Sequence, residues 1–227
     1  MVVVPTVNPA GSYCIDSTEV TEAQYSEFLA AKVDAGSQSA ACAANTSFAP
    51  SATNECATHL YDPTNHGTFP VTCIDWCDAY AYCAWAGKRL CGEIGAGGGS
   101  VAVASASDPV HDQWFSACSA EGARAYPYGQ TYDASVCNGV DRSNDMVVPV
   151  GSLPGCAGGY PGLFDMSGNA SEWENSCEDA SPDGDVRCAL RGGSIFELSG
   201  QLTCTQSDLQ SRSATNYNQG FRCCADL

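Results

Sequence analysis

The sequence predicts a loop-rich α+β fold in one domain spanning residues 1–227. Three observations carry that prediction. Helical periodicity is confined to three short stretches, strand-like runs are brief and widely spaced, and Gly, Pro, Ser, Asn and Asp dominate the remainder. With 227 residues, 44% of them hydrophobic, the chain can bury a core of its own. No internal repeat and no linker-like stretch divides it.

The first helix is predicted from Thr21 to about Ala31. Thr21 and Gln24 have capping-box spacing, Val20 can staple onto Tyr25, and Tyr25, Phe28 and Leu29 form one apolar face. A second helix starts at Asp75, with Trp76, Tyr80, Cys83 and Ala84 on a stripe that should lie flat on a sheet; Gly87 supplies the left-handed stop. A third, shorter helix covers Gln113 to Ala120 and carries Trp114 and Cys118. Strand-like runs occur at Val147 to Val150, Ala189 to Leu190 and Gly220 to Cys223. Gly95 to Ser107 is nearly all Gly, Ala, Ser and Val, and reads as a flexible excursion; no Gly-Lys-Ser/Thr follows to make it a phosphate loop.

Charge narrows the function classes. Asp and Glu number 26 against nine Lys and Arg, a formal charge of −17. With so few, scattered basic groups, the acidic surplus repels nucleic acid and anionic lipid headgroups, and neither is an expected partner. The longest uncharged stretch, Met146 to Phe164, holds Pro149, Pro154 and Pro161 and is not a membrane helix. The negative charge is spread along the chain and predicts a solvated surface.

The 15 cysteines include no Cys-x-x-Cys pair at zinc-ribbon spacing, so most are expected to form disulfides in an oxidising, secreted or extracytoplasmic compartment. Because the count is odd, at least one thiol is free or bonded outside the chain. Met1 to Pro9 lacks the basic and apolar regions of a secretory signal, and reads as the start of a mature exported protein or of a domain cut from a longer one. Cys42 with Cys56 and Cys177 with Cys188 are candidate local staples, each flanking a polar loop. Cys14, Cys73, Cys77, Cys91, Cys137, Cys156 and Cys224 cannot be paired from sequence.

One segment offers hard oxygen ligands. Asp165 and Glu172 lie seven apart, and Gly168 between them lets the backbone turn carbonyls such as that of Ala170 inward, which suits calcium rather than zinc or copper. The residues alone leave open whether Asp165 merely caps a turn and Glu172 is a solvated carboxylate. His59, His66 and His111 lie in polar loops without metal-ligand spacing, and no Gly-x-Ser-x-Gly elbow supports a serine hydrolase.

Several segments align in order with one family. Ile15 to Tyr25 (IDSTEVTEAQY), Phe69 to Val71 (FPV) and Ala81 to Leu90 (AYCAWAGKRL) resemble the N-terminal half of the formylglycine-generating enzyme, or sulfatase-modifying factor, domain. Gly162 to Trp173 (GLFDMSGNASEW), Leu190 to Ser194 (LRGGS) and Gly220 to Cys223 (GFRC) resemble its C-terminal half. The resemblance implies the C-type-lectin-like variant fold of that family, stabilised by calcium and disulfides. It implies calcium at Asp165, Gly168, Ala170 and Glu172, and a second calcium at Asn138 and Gly139 with either Asp141 or Asp145. It also implies bridges from Cys83 to Cys223 and from Cys118 to Cys204. One departure follows Arg89 and Leu90, where the family's Pro-Thr-Glu-Ala-Glu-Trp-Glu is replaced by Cys91-Gly-Glu and the Gly/Ala/Ser-rich stretch before Trp114.

The family's oxidase chemistry depends on two copper-binding cysteines shortly after Arg-Gly-Gly-Ser. By resemblance those positions fall on Glu197 and Ser199, and neither supplies the sulfur that Cu(I) needs. The expectation is therefore an exported, calcium-stabilised, disulfide-rich module without copper or the classical oxidase activity. It would bind an unknown protein, peptide or glycan ligand through the polar segment Ile195 to Tyr217. Two alternatives stand beside it: a copper-dependent oxidase that makes formylglycine from a peptide cysteine with a rearranged pair, and a structural component of an extracellular assembly. Redox work by Cys73 with Cys77, or by vicinal Cys223 and Cys224, is a weaker possibility than structural bridging.

Overall fold

The computed structural model describes residues 1–7, 10–95, 97–142, 145–182 and 184–227. Asn8 and Pro9 of the N-terminal segment, and residue 96 of the Gly/Ala/Ser/Val stretch, lie outside the described residues. The chain opens with a hairpin of β1 (Val2–Val7) and β2 (Ala10–Ile15), Val2 opposite Ile15. Helix α1 (Glu22–Ala30) carries the capping box: Gln24 N donates to Thr21 Oγ1, and Thr21 N donates to Gln24 Oε1. Helix α2 (Trp76–Trp85) starts the same way, Asp75 and Asp78 exchanging backbone donors, and ends before Gly87 at φ +70°. After the two-residue β3 (Arg89–Leu90) comes α3 (Gln113–Ser119), capped by Asp112. The C-terminal half supplies β4 (Ser171–Cys177), β5 (Arg187–Arg191), β6 (Ser207–Ser211), β7 (Gln219–Phe221) and β8 (Cys223–Asp226).

Two four-stranded sheets result, in the orders β1-β2-β8-β3 and β6-β5-β4-β7. Among the described residues, only β4 and β7 pair in parallel. Helices α1 and α2 cover the second sheet, with Tyr25, Phe28 and Tyr82 in one buried cluster with Trp173, Leu190 and Phe221. Helix α3 belongs to the other cluster, where Trp114 and Phe115 meet Tyr13 and Ile15 of β2 and the loop residues Leu163 and Met166.

Strand β8 links the two cores. Successive strand side chains point to opposite faces, so Cys223 bonds to Cys83 in the first cluster while Cys224 bonds to Cys91 in the second. Further bridges join Cys118 to Cys204, Cys137 to Cys156, and Cys177 to Cys188 directly across β4 and β5.

The structure corrects several expectations. Cys42 is bonded to Cys77 and Cys56 to Cys73, so Cys42 and Cys56 do not pair with each other; the sequence-local pairing lost to α2, which carries Cys77 into the cluster holding Cys42. Cys73, Cys77, Cys223 and Cys224 stand in four separate bridges, so Cys73 is not paired with Cys77, nor Cys223 with Cys224. Val147 to Val150 is not a strand: Val148 N donates to the side-chain oxygen of Asn169, Val150 N donates to the Thr68 carbonyl, and Pro149 has no donor. The Gly220 to Cys223 run is split at Arg222, whose side chain is buried. Among the described residues, no helix is long and apolar enough to cross a membrane.

Candidate functional site

Strand β5 ends at Arg191 and the chain turns through Gly192 and Gly193. Gly193 has φ +68°, and a Cβ there would come within 2.3 Å of the Gln201 carbonyl, so only glycine fits. The turn presents Ser194 to Glu197. Ser194 N and Oγ both donate to Glu197 Oε2 at 2.6 Å, and Asn218 Nδ2 donates to Ser194 Oγ at 2.8 Å. One oxygen of the Glu197 carboxylate, Oε2, is thus spent on holding the turn.

Beside this turn lies a groove of about 330 Å³. Six amide side chains line it, Gln201, Gln206, Gln210, Asn216, Asn218 and Gln219, together with Glu197 and Asp208. Period-two alternation sends Asp208 and Gln210 of β6 to one face, with Gln219 of β7 at the far side. Asn218 Oδ1 and Gln219 Oε1 are buried without a hydrogen-bond partner. A more open cleft adjoins at Asn216, walled by Phe196, Tyr217 and His59; the His59 ring stacks on Tyr217 at 3.7 Å and Phe196 meets Tyr217 edge-on at 5.4 Å.

Among the described residues, no cysteine lines the groove. Ser199 opens a short 3₁₀ turn, and Cys204 is fully buried in its bridge to Cys118. The one unbridged thiol among the described residues, Cys14, sits on β2 in the other sheet.

A second constellation lies beneath the Gly162 to Trp173 segment. Asp165, Gly168 and Asn169 all adopt left-handed backbone, and a Cβ on Gly168 would meet the Asn138 carbonyl at 2.7 Å. The two proposed metal segments therefore touch: Asn169 N donates to Asn138 O at 2.9 Å, and Asn138 Nδ2 donates to Asn169 Oδ1 and to Met146 O. The Gly139 carbonyl accepts from Arg142 N. Asp145 is exposed, and Asp141 accepts from the Tyr132 hydroxyl.

Glu172 is not a solvated carboxylate. It is 1% exposed, takes two hydrogen bonds from Arg222 at 2.7 Å and one from Trp114 Nε1 at 2.8 Å. Asp165 Oδ2 accepts from Gly151 N, and Glu19 Oε1 accepts from Asn169 Nδ2 while Glu19 Oε2 has no partner. Burial pushes Glu19 well above the usual carboxylate range, and it pushes Asp165 to about 6. Glu172 pairs directly with the Arg222 guanidinium, and the Glu19 and Asp165 carboxyls lie close enough to feel both charges. Sequence reasoning missed Glu19 and Arg222, which lie far from Asp165 in the chain.

The donors fit calcium in part. Their hardness and charge suit it, and the orphaned Glu19 oxygen faces no competing donor. Glu172 does not offer a free oxygen, because Arg222 and Trp114 hold it. Among the described residues, no three His, Cys, Asp or Glu side chains converge in an arrangement able to hold a metal ion.

Two further acidic side chains are buried nearby. Asp112 and Glu174 are fully buried against Arg191, at 3.7 and 3.6 Å, and Arg191 lies over the Trp114 ring at 5.1 Å. Burial pushes both carboxyls upward, against the pull of Arg191.

A family model described as the sulfatase-modifying factor enzyme 1-like domain matches residues 6–227. The chain is 30% identical over 171 residues to the inactive C-alpha-formylglycine-generating enzyme 2 of Bos taurus, covering 68% of this chain and 50% of that protein. It is 28% identical over 186 residues to the formylglycine-generating enzyme of Bos taurus, covering 69% and 44%. The chain therefore spans about half the length of the curated relatives it matches. Among solved structures it is similar in fold to PvdO from Pseudomonas aeruginosa, with a TM-score of 0.64 at 20% identity over 96% of this chain and 82% of that one. CarF follows at 0.63 and 20% identity, over 100% and 94%.

Proposed function

Since the chain belongs to the sulfatase-modifying factor enzyme 1-like family, we propose that it is an exported recognition module in which a polar ligand groove stands where the family's copper-binding cysteines would be. The observation that carries this reading is the lining of the groove. Glu197 is tied to the Ser194 turn, Ser199 is a hydroxyl, and no thiol lines the wall. Cu(I) prefers sulfur, and a carboxylate already accepting two hydrogen bonds is a poor substitute. Export is supported by the seven bridges among the described cysteines, which persist in oxidising compartments. Incubation with a peptide carrying Cys-x-Pro-x-Arg, copper and oxygen should leave the peptide mass unchanged. Conversion of its cysteine would overturn the reading in favour of the oxidase.

Calcium belongs to the same proposal as a stabilising ion. Asp165 and the carbonyls of Gly168 and Ala170 would hold it, with Glu172 contributing if it yields one oxygen from Arg222; Asn138, Gly139 and Asp145 would form the second site. When bound, the cation would favour the ionised forms of Glu19 and Asp165, which burial disfavours. Binding to the folded state alone raises stability by mass action. Thermal unfolding with and without EGTA tests it: a lowered midpoint restored by calcium is the expected result, and an unchanged midpoint means Arg222 alone serves that cluster.

A further inference from the structure

We infer that the groove beside the Arg191 to Ser194 turn takes a neutral, polyhydroxylated ligand of the oligosaccharide class, an inference that rests on the recognition-module reading above. The first ground is the pair of buried, unpartnered carbonyl oxygens, Asn218 Oδ1 and Gln219 Oε1, in the groove wall. Gln219 is only 7% exposed. A buried acceptor left unpaired is costly, and turning it toward a ligand hydroxyl that donates to it removes that cost.

The second ground is charge. Among the described residues, the groove lining contains no Lys or Arg, and its only charged groups are Glu197 and Asp208. Phosphate, sulfate and carboxylate ligands are repelled. The carboxylates are also engaged: Glu197 by Ser194, and Asp208 by Leu209 N and the Gln210 side chain. The buried acceptors left unpaired in the wall are neutral amide oxygens, which suit hydroxyl donors better than a cation that must be desolvated.

The third ground separates sugar from peptide. Only Leu190 and Gly193 add apolar surface, so the groove has no pocket for the aromatic or aliphatic anchor that dominates peptide affinity. Each amide side chain offers a donor edge and an acceptor, and each sugar hydroxyl can answer either. At the mouth, Phe196 is 38% exposed beside the His59–Tyr217 stack, giving an apolar face against which a ring can rest.

The test is a printed array of neutral, sialylated and sulfated oligosaccharides together with peptides, including the Cys-x-Pro-x-Arg peptide, probed with the full chain and with Gln219→Met. Expected is binding to neutral oligosaccharides, weakened about tenfold or more by the variant, since a lost hydrogen bond to a buried acceptor is worth about 1–3 kcal/mol. The variant removes an orphaned acceptor, so its unfolding midpoint should not fall, which separates lost binding from lost folding. Failure to bind any neutral oligosaccharide, preference for charged glycans or peptides, or undiminished binding by Gln219→Met overturns the inference. Peptide binding without conversion would sink it alone; conversion of the peptide cysteine would sink the module reading itself.

Discussion

Asp78 shows how burial turns a capping side chain into a titrating one. It is 4% exposed, accepts from Asp75 N and Asn45 Nδ2, and is pushed up to about 8 by burial and the neighbouring Asp75 carboxylate. A carboxyl raised in the folded state stabilises fully below its unfolded value near 3.8, and that stability is lost as pH rises toward 8. Such a group adds at most about 1.4 kcal/mol per pH unit to the slope. The unfolding midpoint should therefore fall between pH 5 and 8, and fall less steeply in Asp78→Asn. Glu19, Asp112 and Glu174 are raised in the same direction and keep part of the slope in the variant. An equally steep fall in Asp78→Asn would assign the linkage to those groups instead. Arg222 marks the opposite case: it is fully enclosed by Glu172 and two backbone carbonyls, so its charge is compensated by contacts fixed only in the folded chain.

The helices were legible in the sequence because their signals are local. Thr21 with Gln24 and Asp75 before an apolar stripe each specify a start within one turn, and both caps are present. Thr21→Ala should lower stability by about 1 kcal/mol, the usual worth of such a cap, measured by urea unfolding; a change below about 0.3 kcal/mol would mean that the Val20 and Tyr25 contacts alone set the α1 start. Strands were less legible. The β1–β2 hairpin was missed because Pro5 interrupts the valine run and Gly11 and Ser12 favour turns, yet β1 is an edge strand, where proline is tolerated. Val147 to Val150 had strand composition but its amides found Asn169 and Thr68. In the candidate site, Gly193, Ser194 and Glu197 lie within one short run and could be read together. Glu19, Asp165 and Arg222 meet only through the fold, 146 and 57 residues apart in sequence, and Glu172's engagement by Arg222 was hidden for the same reason.

At the scale of the whole molecule, stability depends on how the long bridges share loops. Cys83–Cys223 and Cys91–Cys224 close spans of 140 and 133 residues, but they begin and end close together, on either side of β3 and on adjacent positions of β8. Cys118–Cys204 lies inside both spans and shortens either loop to about 50 residues, which in the chain-entropy account is worth about 4.1 kcal/mol; once one is closed, the other constrains a residual loop of only about nine residues, worth about 2.6 kcal/mol. Either bridge therefore covers part of the other's entropy. Replacing Cys83 and Cys223 by Ala, or Cys91 and Cys224 by Ala, should each cost about 2.6 kcal/mol, and all four together about 6.7 kcal/mol, more than the sum of the pairs. Denaturant unfolding of the three variants forms a cycle with a coupling of about 1.5 kcal/mol. A strictly additive result would show that each bridge acts through packing in its own core, Cys83 beneath α1 and α2 and Cys91 against α3, rather than through the one unfolded chain that both constrain.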